Sequence, residues 1–425
     1  LAGKLTNELN EANETVVEPN MNHTNVPDKS AAAPQPTSLL PLKTLYFIYY
    51  AGLGTYSTFI GVYYASLGLS GTQIGLINTV IPIVGMFSGP LWGMLSDRSG
   101  KTRALLMLAV LGLIASTLAL SEASSFTMIL PVVGIFALFN TTLMPLLDST
   151  TLSVLGEQRE RYGSQRVWGS IGFIATSAVI GLLLERTGLH TIFYTFAFAN
   201  LCFLVALIRL PERKVHLQQI QQSILTGLTQ MVRQPPWLLF AMCIVMLGLA
   251  TSGMYGFLSL TIKKQGGSDA LIGIVWMLSA IVEMPFMALS APLLSRFGSR
   301  RLMAVALLAF AVRMLLYGLM PAPEWAAGIS IVAGTSFGLY SIAVVNYANE
   351  LAPENLKATS QGLVVALTSL SAIAGAPFSG WLFDQVGPSN MFLILAGCCL
   401  LALLFFGAGR LLINRQAAAR QANVL

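Results

Sequence analysis

The stretch DSTTLSVLGEQRERYGSQRVWGSIGF, Asp148 to Phe173, sets a carboxylate and a guanidinium inside apolar runs and leaves a polar segment, Glu157 to Gln165, between them. That pattern reads as one membrane helix ending, a turn in water, and the next helix beginning. Asp148 and Arg166 each stand nine residues from Glu157. In an antiparallel pair they therefore share one depth, roughly 13 Å from the turn at about 1.5 Å per residue. An acid and a base at one depth among apolar residues mark a polar site, or else a pair that tightens the hairpin.

Composition points to the same solvent. The chain of 425 residues is 55% hydrophobic and 10% charged, against about 25% charged in a soluble domain. The formal net charge is +6, but Lys and Arg are scattered singly between apolar runs rather than gathered on a stripe, which argues against nucleic acid. Cys202, Cys243, Cys398 and Cys399 all fall in apolar runs without ligand spacing, so neither a disulfide framework nor a metal is expected. Residues 1–43 are largely polar and lack the apolar core of a signal peptide, and they read as a disordered cytoplasmic tail.

Beyond the tail, runs of about 20 apolar residues recur, each long enough for a hydrocarbon core of about 30 Å. Twelve are expected, near 44–67, 72–95, 104–122, 126–155, 166–184, 190–209, 237–260, 270–294, 302–320, 325–349, 358–383 and 389–409. Sorting the 24 Lys and Arg by side puts 20 with the tails and three opposite (Arg186, Lys263, Lys264), with Arg313 inside a span. This bias places both termini in the cytoplasm. The expected organisation is a six-helix half over 44–209, a central cytoplasmic loop over 210–236, a second half over 237–409 and a cytoplasmic tail over 410–425.

The halves repeat. Ile74 and Gly75 return as Ile272 and Gly273 at an offset of 198, and Gly188 and Phe193 return as Gly387 and Phe392 at 199. Arg98, Gly100 and Arg103 return as Arg296, Gly298 and Arg301, also at 198. Six crossings bring the chain back to its starting side, so the repeats are parallel.

At Trp92 to Arg103, WGMLSDRSGKTR, the sequence resembles the loop between helices two and three of the major facilitator superfamily, with a degenerate copy at Ser295 to Arg301. The resemblance implies an all-α membrane protein of twelve transmembrane helices in two six-helix pseudo-repeats. It also implies a cytoplasmic gate at Asp97, Arg98, Gly100, Arg103, Arg296, Gly298 and Arg301. Asp97 at a helix C-terminus needs an outside partner because the dipole there disfavours an anion. Ser99 to Thr102 imitates the end of a phosphate-binding loop, but six residues separate Gly93 from Gly100 where that motif has four.

The segment Tyr162, Gly163, Arg166, Trp168 to Gly172 is similar to the branch containing lactose permease and the 3-phenylpropionate permeases. That resemblance implies substrate binding by Asp148, Arg166 and Phe173, with aspartate for the family's glutamate and phenylalanine for its tryptophan. Trp168 is a further substrate-binding candidate. Among the first-helix tyrosines, Tyr46, Tyr49 and Tyr50 read as an interfacial belt, and Tyr56 is placed nearest the ligand.

A second charge pair, Glu283 and Arg313, stands fifteen residues to either side of Gly298, again at matched depth. An ionised carboxylate in mid-span is costly. The resemblance sets both residues on the permease proton pathway, although Ser330, Ala333 and Ser336 occupy the helix-ten positions where the permease has lysine, histidine and glutamate. The expected function is a secondary active transporter moving a small organic solute, a sugar or an aromatic carboxylate, by alternating access with proton symport. Its partners are the solute, protons and membrane lipid, it acts as a monomer in the cell (inner) membrane, and no cofactor is called for. The alternatives are a proton-antiport efflux pump, a nucleoside transporter and, in another class, a transport-inactive receptor or scaffold. An enzyme is not expected, because no nucleophile stands with a base and a group to orient it.

Overall fold

The computed structural model describes residues 39–156, 158–208, 234–353 and 356–422. Most of the expected first tail and central loop, and Glu157, lie outside the described residues. Among the described residues there is no strand. The helices are α1 Leu40–Ser66, α2 Gly71–Ser99, α3 Thr102–Glu122, α4 Phe126–Leu155, α5 Tyr162–Thr187 and α6 Thr191–Leu207 in the first half. The second half has α7 Pro235–Lys264, α8 Asp269–Ala288, α9 Ser290–Leu319, α10 Trp325–Leu351, α11 Lys357–Gln385 and α12 Gly387–Ala422. Ten of these are long and apolar enough to cross a membrane. The other two are α1, whose apolar run is diluted by six tyrosines, and α6, which spans 17 residues.

The boundaries follow local chemistry. Ser70 caps α2, its side chain accepting from Gln73 N–H while Gln73 answers back to Ser70 N–H. At the repeat position Ser268 caps α8 by accepting from Leu271 N–H. Gly100 ends α2 with φ 63°, and Gly298 breaks the helical run from Ser290 to Leu319 with φ 72°. Both turns need a left-handed residue, which glycine supplies without a steric penalty. Gly298 is thus the turn that sequence placed between helices eight and nine, although α8 already ends at Ala288 and the chain resumes as a helix at Ser290 after a bend at Leu289. α12 runs on through Ala422, so the final tail expected from 410 continues a helix.

The repeat is also one of packing. α1 lies on α5 and α6, α2 on α4, and α3 on α4 and α6; raising each number by six gives the packing of the second half. The halves meet along α2 with α11 and α5 with α8. Small residues allow backbone to touch backbone there: a Cβ on Gly75 would strike the carbonyl of Ala376, and one on Gly273 the carbonyl of Ser177. These approaches cluster at the face opposite the tails, where α2 and α8 begin and α5 and α11 end. On that face Asp384 accepts from Gly71 N–H at 2.7 Å, Thr72 N–H at 2.8 Å and the Thr72 hydroxyl at 2.7 Å. Glu185 accepts from Ala270 N–H at 3.2 Å. This face is sealed, whereas a cavity reaches the tail-bearing one.

Candidate functional site: a cavity between the halves

The cavity holds about 1100 Å³ and is walled by residues of both halves, from α1 and α5 on one side and α7 to α10 on the other. Its outer rim includes Gly163, in the first turn of α5, and Ala288, in the last turn of α8. Both turns lie toward the tail-bearing face.

Two glycines set the first-half wall. A Cβ on Gly172 would strike the carbonyl of Phe47, and one on Gly169 the ring of Tyr50, so α5 lies flush on α1. That packing leaves Arg166, Ser170 and Phe173, one helical stripe, to line the cavity. The expected meeting across the α4–α5 hairpin occurs: Arg166 Nη1 lies 3.8 Å from Asp148 Oδ2. Tyr46 donates its hydroxyl to Asp148 Oδ1 at 2.6 Å. Arg166 donates to Tyr162 Oη at 3.0 Å and to Tyr50 Oη at 3.4 Å. Tyr46 and Tyr50, expected in an interfacial belt, instead hold the charged pair, because the close α1–α5 packing brings their hydroxyls within reach. The guanidinium stays half-exposed, at 49% of its side chain, with its planar fork reaching the cavity.

In the second half, Arg313 is buried and donates to Ser279 Oγ at 3.2 Å and to Tyr317 Oη at 3.4 Å. Glu283 stands one turn beyond Ser279 on α8, and both line the cavity with Arg313. Among the described residues Glu283 makes no hydrogen bond, and no ion pair within 4 Å joins it to Arg313. Ser330 and Ser336, at the helix-ten positions noted above, are fully buried, with their hydroxyls on backbone carbonyls. Ser336 lies within a π-helical turn, Gly334–Gly338, whose Phe337 lines the cavity. Such turns are frequent at functional sites.

Other expected site residues stand apart. Tyr56 is buried between Phe136, stacked at 4.8 Å, and Phe196 at 5.0 Å, inside the first half and off the cavity wall. Trp168 points elsewhere, with Lys43 Nζ 5.7 Å from its ring. Of the expected gate residues, Arg103 donates to the carbonyl of Ile208 at 2.8 Å, Arg98 and Arg301 are exposed, and Arg296 lies 5.4 Å from the ring of Phe297. The side chain of Asp97 lies outside the described residues.

Sequence reading missed an aromatic wall. Tyr255 of α7 stacks on Trp276 of α8 at 5.7 Å and 22°, and Phe337 meets Tyr255 edge-on at 6.4 Å. Trp276 is fixed by its indole N–H, which donates to Ser259 Oγ at 2.9 Å. Its spacing from Glu283, seven residues or two turns along one face, was the available signal. Among the described residues no three His, Cys, Asp or Glu side chains cluster as metal ligands.

Comparison with known proteins supplies the context for this geometry. The profile of the family described as "MFS_1 like family" matches residues 39–394. The chain is 29% identical over 333 residues to a maltose permease of Geobacillus stearothermophilus, covering 77% of this chain and 83% of that one. It is 27% identical over 296 residues to a probable 3-phenylpropionic acid transporter of Escherichia coli (strain K12), covering 69% and 77%. Among solved structures, the nucleoside transporter NupG superposes with a TM-score of 0.77 at 21% identity, over 87% of this chain and 98% of that one, a likeness of fold.

Proposed function

The chain belongs to the MFS_1 like family and is a multi-pass membrane transporter; on that premise we propose that it takes up a small organic solute, a sugar or an aromatic carboxylate, by proton symport. The observation that carries this reading is the cavity itself, closed at one face, reaching the other, and bearing charged groups from both halves. A solute bound there touches both halves, so its binding energy can be coupled to their rocking. The excess of Lys and Arg on the tail side supports a cytoplasmic location for both termini, in the cell (inner) membrane, and hence an inward-facing cavity.

Arg166 supplies a planar fork able to hold two oxygens of the solute, and Asp148 with the tyrosines fixes its direction. Glu283 is the proposed proton carrier. Neutralised by a proton, it can be enclosed as the cavity closes; ionised, it must stay wet or swing to Arg313. The expected mode of transport is then accumulation driven by the proton gradient. Reconstituted into liposomes with an alkaline interior, the protein should accumulate radiolabelled solute, and a protonophore should stop it. Solute leaving against the gradient would mark an exporter, and binding without movement a receptor.

A further inference from the structure

We propose that the Tyr255–Trp276 pair is a ring-binding subsite and that it selects an aromatic monocarboxylate as cargo, an inference that rests on the uptake reading above. Three features of the wall carry it. The first is rigidity: Trp276 is pinned through its indole N–H to Ser259, its ring lies nearly parallel to that of Tyr255, and Phe337 packs at right angles to the Tyr255 ring. Tyr255 remains 42% exposed in the middle of α7, facing the cavity it lines. A flat, immobilised aromatic surface favours a flat partner.

The second feature is what the wall lacks. A sugar presents hydroxyls on all sides, and each loses a water bond unless amides and carboxylates take its place. Among the described residues that line the cavity there is no Asn, Gln or Asp, and the single carboxylate is Glu283. The third is charge. Asp148 balances Arg166 and Glu283 balances Arg313; one proton on Glu283 leaves the site one positive charge in excess. A single anion restores neutrality over the cavity as a whole, so proton and monocarboxylate load together. Arg313 is buried and already bonded, so the carboxylate goes to the half-exposed Arg166 in one half while the ring lies on Trp276 in the other.

The test is a binding series on the purified full-length protein with 3-phenylpropionate, its uncharged amide, its cyclohexyl analogue and maltose. The phenyl acid should bind best, with the cyclohexyl acid roughly tenfold weaker through loss of ring stacking. Trp276→Leu should bring the two acids within about twofold, while Trp276→Phe keeps part of the preference. Because the readout is a ratio within one variant, a general loss of folded protein does not imitate it, and Trp276→Phe provides the milder replacement. Equal binding of both acids by the parent, or an unchanged ratio in Trp276→Leu, overturns the subsite. Maltose accumulated in its place would leave the uptake reading standing and remove this one. Discriminating binding of the acids without gradient-driven accumulation would do the reverse.

A separate observation concerns the sealed face. Asp384 at the end of α11 caps the N-terminus of α2, and Glu185 at the end of α5 caps that of α8; the two acids are 199 residues apart, the offset at which Gly188 returns as Gly387. We infer that they are paired latches of the inward-facing state, since each joins one half to the other at a helix end that favours an anion. Opening that face must break both. Spin labels at Ser124 and Glu324, on opposite halves of that face, read the opening as a distance distribution. Asp384→Asn should enlarge the longer-distance population roughly two- to fivefold, and addition of Glu185→Gln should enlarge it further. A distribution unchanged in the double variant contradicts the latch.

Discussion

Each half of the molecule holds an acid and a base, and the two pairs are built differently. In the first half Arg166 lies 3.8 Å from Asp148, and three tyrosine hydroxyls complete the cluster. In the second, Arg313 directs its hydrogen bonds to Ser279 and Tyr317, and Glu283 stands on the same cavity wall without a bond of its own among the described residues. A carboxylate tied to a base and a phenol positions its partner. An untied carboxylate can gain and lose a proton without breaking anything. On the proposed symport reading, this asymmetry assigns the polar end of the cargo to the tied first-half pair and the proton to Glu283 in the second half.

The comparison can be broken first at Arg166. Arg166→Lys replaces a fork by a point charge, so solute affinity should fall roughly 10- to 100-fold, the range of a lost hydrogen bond to a charged group. Equilibrium binding measures it, and affinity equal to the parent's would make the first-half pair structural. Asp148→Asn should cost less, about three- to tenfold, because the ion pair is long and partly exposed. Smaller still is Tyr46→Phe, which removes only the bond at 2.6 Å to Asp148 and should weaken binding about twofold. A larger effect for Tyr46 than for Asp148 would show that the hydroxyl itself touches the solute.

Much of this arrangement was legible in the sequence. The repeat, the turns at Gly100 and Gly298 and the meeting of Asp148 with Arg166 all follow from residue counting along helices, where equal distances from a turn fix equal depth. What counting could not supply was the rotation of each helix about its own axis. Tyr46 and Tyr50 reach the charged pair because Gly169 and Gly172 let α5 settle on α1, a tertiary fact with no trace in the periodicity of α1. The same rotation turns Tyr56 toward Phe136 and Phe196 and away from the cavity. Trp276 shared a face with Glu283 in sequence, but its partners Tyr255 and Ser259 on α7 became visible only once the helices were packed.

The proposed coupling of proton to solute movement rests on Glu283, and Glu283→Gln in liposomes tests it. Solute exchange is measured with and without a proton gradient, using whichever solute the parent accumulates. The variant carries a permanently neutral side chain of nearly the same shape. It should bind solute and exchange it across the membrane at close to the parental rate, yet reach no higher concentration inside than outside when the gradient is imposed. Accumulation by Glu283→Gln to the parental level would contradict the account and leave Glu283 a structural neighbour of Arg313.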